Sequence, residues 1–516
     1  MSKKVTFPSE LNDIRNFLPE LVKILESGYE DRFYAFVMLE AKQQQSMMLN
    51  TTQSTQQTDG RGIVMRICAN GCNYESSANC FDQDILRNKA EKLRDSVLAE
   101  PQNDTMVYQP LTWDQENISD LDPLMQEQLQ ENLKIVHFGT PYEQGAEELT
   151  TEKMSAWVND VRKQVLNKKQ ELSMVGALLI QKVITKIFVD RNKNMSQSLL
   201  STLGYGYAVS KKGLTVRSIN GGMGGLEVAT MTSENINHIA FMPEKLDNAS
   251  HLTPGRYKLI TGPDVTGVIA HEAFGHTQEG DTCRYGRSCA PGLKKSNTKV
   301  GNDHATIINN AAVFAMGKQN FGTNGSHFFD DEGQLARKQV ILDKGILSSP
   351  MNDLLSSLKG DINGPAPRQS NGKRESWSNP IMARQTNTYF TAGDKTVDEL
   401  IAMVDDGFLA QHAHGGMEDP KGMGLTAGTE YLEEIKQGKL TGKIILGPRG
   451  GHIELSDPVP KLLNSIIAKS KIDDDTSCDE SDIPYNKWGG CGKYHKESVE
   501  AGCGGPYILW EGINCG

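Results

Sequence analysis

The sequence predicts an α+β protein, with a small N-terminal α+β region and a β-rich C-terminal half. Three observations carry that expectation. At 516 residues the chain is too long for one hydrophobic core, so two or three domains are expected. Within the first hundred residues, apolar positions switch between helical and alternating spacing. Beyond about residue 255 the chain becomes glycine-rich, with short β-type segments. The expected divisions are an N-terminal α+β domain over 1–110, a central helix-and-strand region over 111–242 and a β-rich domain over 243–516.

Taken in order, residues 9–27 (SELNDIRNFLPELVKILES) place apolar side chains at helical spacing, with Pro19 in the middle. YAFVMLEAK alternates as a strand does, QQQSMMLNTTQSTQQTDGRG reads as a polar hairpin arm with an exposed turn, and GIVMRICA as a further strand. CFDQDILRNKAEKLRDSVLAE is an amphipathic helix with an acidic start. Residues 101–150 are polar connection, and 151–171 form an amphipathic helix with Thr151 as N-cap. From 173 to 242 the pattern is of strands (173–190, 199–210, 214–231), with glycine pairs at turns or bulges. In the C-terminal half KQVILDKGIL and GKIILG read as strands, while helices cover GVIAHEAFGH and TVDELIAMVDD. Neither solenoid repeats nor coiled-coil heptads are present.

A net charge of -11 gives no support to nucleic-acid binding or to an anionic membrane surface. No apolar run is long enough to span a bilayer, and the N-terminal stretch has no apolar h-region. A cytoplasmic protein is the expectation. Nine cysteines (68, 72, 80, 283, 289, 478, 491, 503 and 515), an odd count without a signal peptide, argue for reduced thiols over a disulfide framework.

The stretch that concentrates chemistry is GVIAHEAFGHTQEGD, containing His271, Glu272 and His276. On an ideal α-helix, histidines at i and i+4 lie about 40° apart, whereas at i and i+5 the offset is about 140°. A wider turn of π type would bring the two imidazoles together, and Gly275 would alternatively let the helix end or bend. Either route keeps a metal site open. Glu272, next to the first imidazole, is placed to act as general base on water. Two imidazoles leave a tetrahedral zinc needing a third protein donor. Glu279, Asp281, Cys283, Cys289 and Cys491 are all candidates, and spacing does not choose among them.

HEAFGHTQEGD resembles the H-E-A-x-G-H-x-x-E-G-D signature of the TldD/PmbA family of metallopeptidases, in its metal-bearing TldD branch. FDDEGQLARKQVILDKGIL, NGKRESWSNPIMARQTNTYF, GDKTVDELIAMVDDGFLAQHAHGG, GGCGK and, near the N-terminus, TDGRGIVMRICANG resemble further family segments in the same order, over roughly residues 30–510. The resemblance implies that His271 and His276 are zinc ligands, that Cys491, in its C-G-K setting, is the third ligand and that Glu272 is the catalytic glutamate. It implies a barrel-like C-terminal domain carrying the metal site on a helix, with Zn2+ as cofactor. It also implies action on short or unfolded peptides, including peptide maturation, and pairing with a PmbA/TldE-like partner subunit or a second copy of the chain.

Two departures bear on substrate preference. Lys493 is followed by YHKESVEAGCGG instead of a short G-Q-containing segment, and His412 and His414 stand where the family more often has an Asn-aromatic-Gly arrangement. Packing or solvent-exposed roles are expected for those histidines, while Arg374, Glu375, Asn387 and Thr388, in family-like segments, suit structural support at least as well as substrate contact and are not assigned to the site. Two rival functions are a peptide-modifying enzyme using its metal without hydrolysis and a non-catalytic assembly subunit with a structural zinc.

Overall fold

The computed structural model describes residues 3–28, 33–101, 108, 110–129, 133–145, 149–315, 322–359, 367–471, 489–493 and 497–516. Cys478 and the YHK after Lys493 lie outside the described residues.

The first helix runs Asn12–Glu26, and Pro19 sits inside it without ending it. Ile14, Phe17, Leu18, Leu21, Val22 and Leu25 form its buried stripe, each such side chain contributing about 1.5–3 kcal/mol of burial. Together with helix Gln83–Leu98 it covers one face of a seven-stranded sheet. The sheet order is Cys72–Ala78, Gln53–Ala69, Tyr34–Leu49, Met174–Val189 and Asn194–Val209. Val136–Gly139 pairs parallel to the last of these and Thr215–Met223 antiparallel to it.

Alternate residues of Tyr34–Leu49 serve different cores. Ala35, Val37 and Leu39 meet the two helices, while Tyr34 and Phe36 join Phe188, Phe328 and Phe329 on the other face. The same strand pairs with Met174–Val189 from Val37↔Val189 to Leu49↔Ala177. One sheet is therefore shared by the segments expected as separate regions on either side of residue 110, because the largely buried strand Tyr34–Leu49 pairs its backbone groups on both sides, with Gln53–Ala69 and with Met174–Val189.

Two local expectations need correction. Thr150, not Thr151, caps helix Thr151–Lys168: its extended backbone lets Oγ1 accept from the Lys153 amide at 3.4 Å. The segment read as strand over 214–231 ends at Met223 and turns through a short 3-10 helix, Leu226–Ala229. A helix over Ser233–Asp247 follows, unrecognised in the sequence although Thr232 and Asn235 form a reciprocal cap.

The C-terminal half contains a closed five-stranded barrel. Gly255–Thr261 pairs with Asp406–Asp419 and with Ile508–Cys515. Asp406–Asp419 pairs with Gly424–Lys436, which pairs with Ile453–Pro458, which returns to Ile508–Cys515. Closure removes the free edges that short strands would otherwise expose. Leu259, Phe408, Leu432, Leu455 and Trp510 belong to the core of this half, together with Val265 and Ile269 of helix Pro263–Ala270. The expected β-rich, barrel-like domain with the motif on a helix is what the structure contains. A second sheet runs Ile346–Leu347, Lys338–Asp343, Ile307–Asn310, Asn387–Phe390 and Gly502–Gly504. Among the described residues, no helix is long and apolar enough to cross a membrane.

Candidate metal centre

Helix Pro263–Ala270 leaves strand Gly255–Thr261 with Pro263 in its first turn, where no amide is needed. Gly267 lets it lie directly on the second sheet, since a Cβ there would overlap the Gly504 backbone. The helix then widens into a π-helical segment, His271–Gly275, and tightens into a 3-10 turn, His276–Gln278. This is the first of the two routes the spacing allowed. The imidazoles of His271 and His276 consequently meet with ring centroids 4.9 Å apart and planes at 84°.

Gly275 is not the hinge. Its φ of -64° and ψ of -69° are helical. A Cβ there would overlap the Gln385 side-chain amide, which donates from Nε2 to the His271 carbonyl at 3.1 Å. Thr388 Oγ1 donates to Gln385 Oε1 at 2.8 Å. The widened turn is thus pinned from outside by Gln385, and Gly275 supplies the room.

Cys491 arrives on Gly490–Lys493, which pairs with Glu497–Glu500 as a short hairpin. Its Sγ lies 3.5 Å from His276 Nε2. One ligand atom from each of His271, His276 and Cys491 falls within 4.8 Å of the others. A tetrahedral ion with bonds of about 2.05 Å to nitrogen and 2.3 Å to sulfur holds those two ligands about 3.6 Å apart, so the observed spacing fits. Burial alone would push the Cys491 thiol up, but the neighbouring His276 and His271 bring it well below its ordinary value, towards the thiolate that ligates metals. Burial would lower His276, and Cys491 and Glu279 raise it well above the usual imidazole range.

The other candidate donors lie elsewhere. Glu279 is fully buried and engages the opposite nitrogen of His276, with Oε2 3.2 Å from Nδ1. Lys493 Nζ contacts the same carboxylate oxygen at 2.9 Å, Asp281 Oδ1 at 2.6 Å and the Ala383 carbonyl at 2.9 Å. Despite its burial, Lys493 and His276 hold the Glu279 carboxyl far below its usual value. Cys283 donates to the Thr277 carbonyl at 3.4 Å, and burial pushes its thiol up to about 11. Cys289 immediately precedes the short helix Ala290–Lys295, with no side-chain hydrogen bond to the helix end. Sequence spacing held Glu279 as a rival donor, whereas its place on Nδ1 is that of a group orienting the imidazole. Glu279→Gln is therefore expected to weaken zinc binding by about 10–100-fold, read by competition with a chromophoric chelator. An unchanged affinity would assign Glu279 to holding Lys493 alone.

Glu272 is 7 % exposed and lines a cavity of about 710 Å³ together with His271, His276, Cys491, Val268 and Met417. Its Oε2 lies 4.0 Å from His276 Nε2, and burial raises its carboxyl above the ordinary range. Glu418, on the cavity wall, passed unnoticed in the sequence. It accepts from the Thr277 amide at 3.1 Å and from the Thr277 hydroxyl, and burial raises its carboxyl well above normal. Arg384 was also missed as a site residue, though it is the arginine of the R-Q-T-N-T stretch. It donates to the Cys491 carbonyl, and its Nε lies 3.8 Å from Glu279.

His412 stacks on His238 at 4.3 Å and lies 5.2 Å from Tyr431, while exposed His414 stacks on His452 at 4.5 Å. Neither lines the cavity that holds Glu272. Arg374 bonds Glu75 at 2.7 Å, and Asn387 bonds the Asn310 carbonyl at 2.7 Å and Ser326 at 3.0 Å, as structural supports do. Glu375 is exposed.

A closed barrel flanked by a two-histidine, one-cysteine cluster and a neighbouring carboxylate defines a candidate metal protein of mixed α and β class. Residues 254–516 match the family model described as the PmbA/TldA metallopeptidase C-terminal domain, and the chain belongs to the PmbA/TldD family. It is 31% identical over 264 residues to the metalloprotease TldD homolog of Haemophilus influenzae, covering 51% of this chain and 48% of that protein. The metalloprotease TldD homolog of Buchnera aphidicola is 29% identical over 262 residues, with the same coverage of 51% and 48%. The chain matches about half the length of these relatives. The fold is similar to that of TldE from Thermococcus kodakarensis, at a TM-score of 0.68 and 12% identity, over 97% of this chain and 99% of that one.

Proposed function

We propose that the chain is a zinc-dependent peptidase of TldD type that hydrolyses short or unfolded peptides, with peptide maturation as a cellular use. The observation that carries this reading is the convergence of His271, His276 and Cys491 within 4.8 Å beside Glu272 on an open cavity. His271, His276 and Cys491 would hold the ion, and a borderline-soft Zn2+ suits two imidazoles and a thiolate. When bound, such an ion supplies Lewis acidity to water and to a peptide carbonyl.

The chain's own residues do the proton work. Glu272 takes the proton of the attacking water and delivers it to the departing amine. Its burial favours proton uptake, because an ionised carboxylate there lacks water to stabilise it. Glu279, held by Lys493, fixes the tautomer and tilt of His276. The chain would work in the cytoplasm, paired with a PmbA/TldE-like partner or with a second copy of itself. The relatives named TldD homolog and the TldE fold neighbour support that assembly as a reading.

Mass spectrometry of unstructured peptides incubated with purified protein tests the proposal. Two fragments that together carry one added water are expected, abolished by a chelator and restored by zinc. A mass change in an uncut peptide would favour the peptide-modifying rival, and intact peptides beside a fully zinc-loaded protein would favour the non-catalytic one.

A further inference from the structure

A second cavity, of about 450 Å³, adjoins the first and shares Gly489 and Gly490 with it. Lysines enter it from three separate elements: Lys42 from strand Tyr34–Leu49, Lys182 from strand Met174–Val189, and Lys373 from the short strand Gly372–Lys373. The carboxylates of its wall are mostly committed. Asp331 pairs with Lys186, Glu500 pairs with Lys182, and Glu40 lies 3.4 Å from Lys186. Asp330 accepts from the amides of Glu332, Gln334 and Gly372, each at 2.9 Å. Exposed Glu375 is the remaining acid on the wall.

Two cations are left over. Lys373 Nζ donates to the Glu500 carbonyl oxygen, a neutral acceptor, and Lys42 makes no ion pair or side-chain hydrogen bond with any described residue. The lysines also crowd one another. Burial, with help from Lys42 and Lys373, pushes Lys182 down to about 7, and burial with Arg384 and Lys186 does the same to Lys373. An anion in this space would relieve both the desolvation and the repulsion. An ammonium offers three donors, and a charge-assisted bond out of bulk water is about twice as strong as a neutral one.

We propose that this cavity is a carboxylate subsite, in which Lys42 and Lys373 bind a carboxylate of the peptide whose scissile bond lies at Glu272. The inference rests on the peptidase reading and narrows it to peptides bearing a carboxylate within reach of the reacting bond. That group is either the free C-terminus or an Asp or Glu side chain.

Calorimetric titration of zinc-loaded Glu272→Gln protein with alanine peptides of increasing length tests it without turnover. Each length is offered with a free C-terminus, with an amide C-terminus, and as the amide carrying one Asp at successive positions. At one or more lengths the free acid, or one of the Asp amides, is expected to bind at least about tenfold tighter than the plain amide. Which of the two does so identifies the source of the carboxylate. Adding Lys373→Met or Lys42→Met should bring that ratio close to one, with zinc content and melting temperature unchanged. Half-buried Lys42 carries the test if the Lys373 variant does not fold. Equal binding of acid and amide at every length, no binding of any acid peptide, or a preference that survives the lysine substitutions would overturn the subsite. Cleavage is a separate readout: intact peptides with the wild-type protein defeat the peptidase reading, while the binding ratio still decides the subsite.

Discussion

Glu272→Gln is expected to lower kcat for peptide cleavage by about 10²–10⁴-fold while zinc stays bound. The substitution keeps the shape of a side chain that is 7 % exposed and removes only its ability to take a proton. Zinc should remain because the three proposed donors are His271, His276 and Cys491, and the Glu272 carboxylate stands 4.0 Å from His276 Nε2, outside the cluster. Stability should not fall, since a carboxyl whose titration is raised by burial gains nothing from being ionised there. The check is kcat and KM beside zinc stoichiometry and melting temperature on the same preparation. Undiminished turnover at full zinc content would remove Glu272 from the mechanism. Loss of turnover together with loss of zinc would assign it to holding the metal.

Much of this site was legible locally, and the remainder was not because it depends on distant contacts. The i to i+5 spacing of His271 and His276 required a widened or broken turn, since helical geometry fixes the angle between them, and a π segment is what forms. The purpose of Gly275 was not legible. Its neighbour is the Gln385 amide, far along the chain, and only packing reveals that a Cβ there would displace it. Glu279 shows the same limit in electrostatics. Its position three residues after His276 fits a ligand and an orienting group equally well, and which ring nitrogen it faces is a matter of side-chain placement.

The fold divides in the same way. Individual strands follow from alternating apolar residues. Closure of the barrel follows from Gly424–Lys436 meeting Ile453–Pro458, and from that strand meeting Ile508–Cys515, pairings between segments with no local mark of each other. Helix Ser233–Asp247 was missed although its start carried a cap signal, because glycine pairs just upstream suggested continued strands and turns. The shared N-terminal sheet was hidden by the polar stretch before residue 151. That stretch separates in sequence two strands, Tyr34–Leu49 and Met174–Val189, that lie side by side.

Cys491→Ser is expected to abolish stoichiometric zinc, with an affinity loss exceeding the roughly 100-fold attached to losing a supporting hydrogen bond. A serine hydroxyl does not ionise near neutrality, so the donor set falls from two imidazoles and a thiolate to two imidazoles. The local scaffold should survive. Arg384 holds the backbone carbonyl of residue 491, and the pairing of Gly490–Lys493 with Glu497–Glu500 runs through backbone groups. Loss of metal can therefore be separated from loss of fold. Zinc should raise the melting temperature of the wild type, because a ligand that binds only the folded state stabilises it in proportion to the logarithm of its excess over Kd. The Cys491→Ser protein should show no such rise at the same zinc concentration, whereas Cys283→Ser should behave as wild type, its thiol being turned to the Thr277 carbonyl. Full zinc in Cys491→Ser would return Glu279 and Cys283 to contention as the third donor. Loss of zinc in Cys283→Ser would mean that the 276–289 segment rearranges when metal binds.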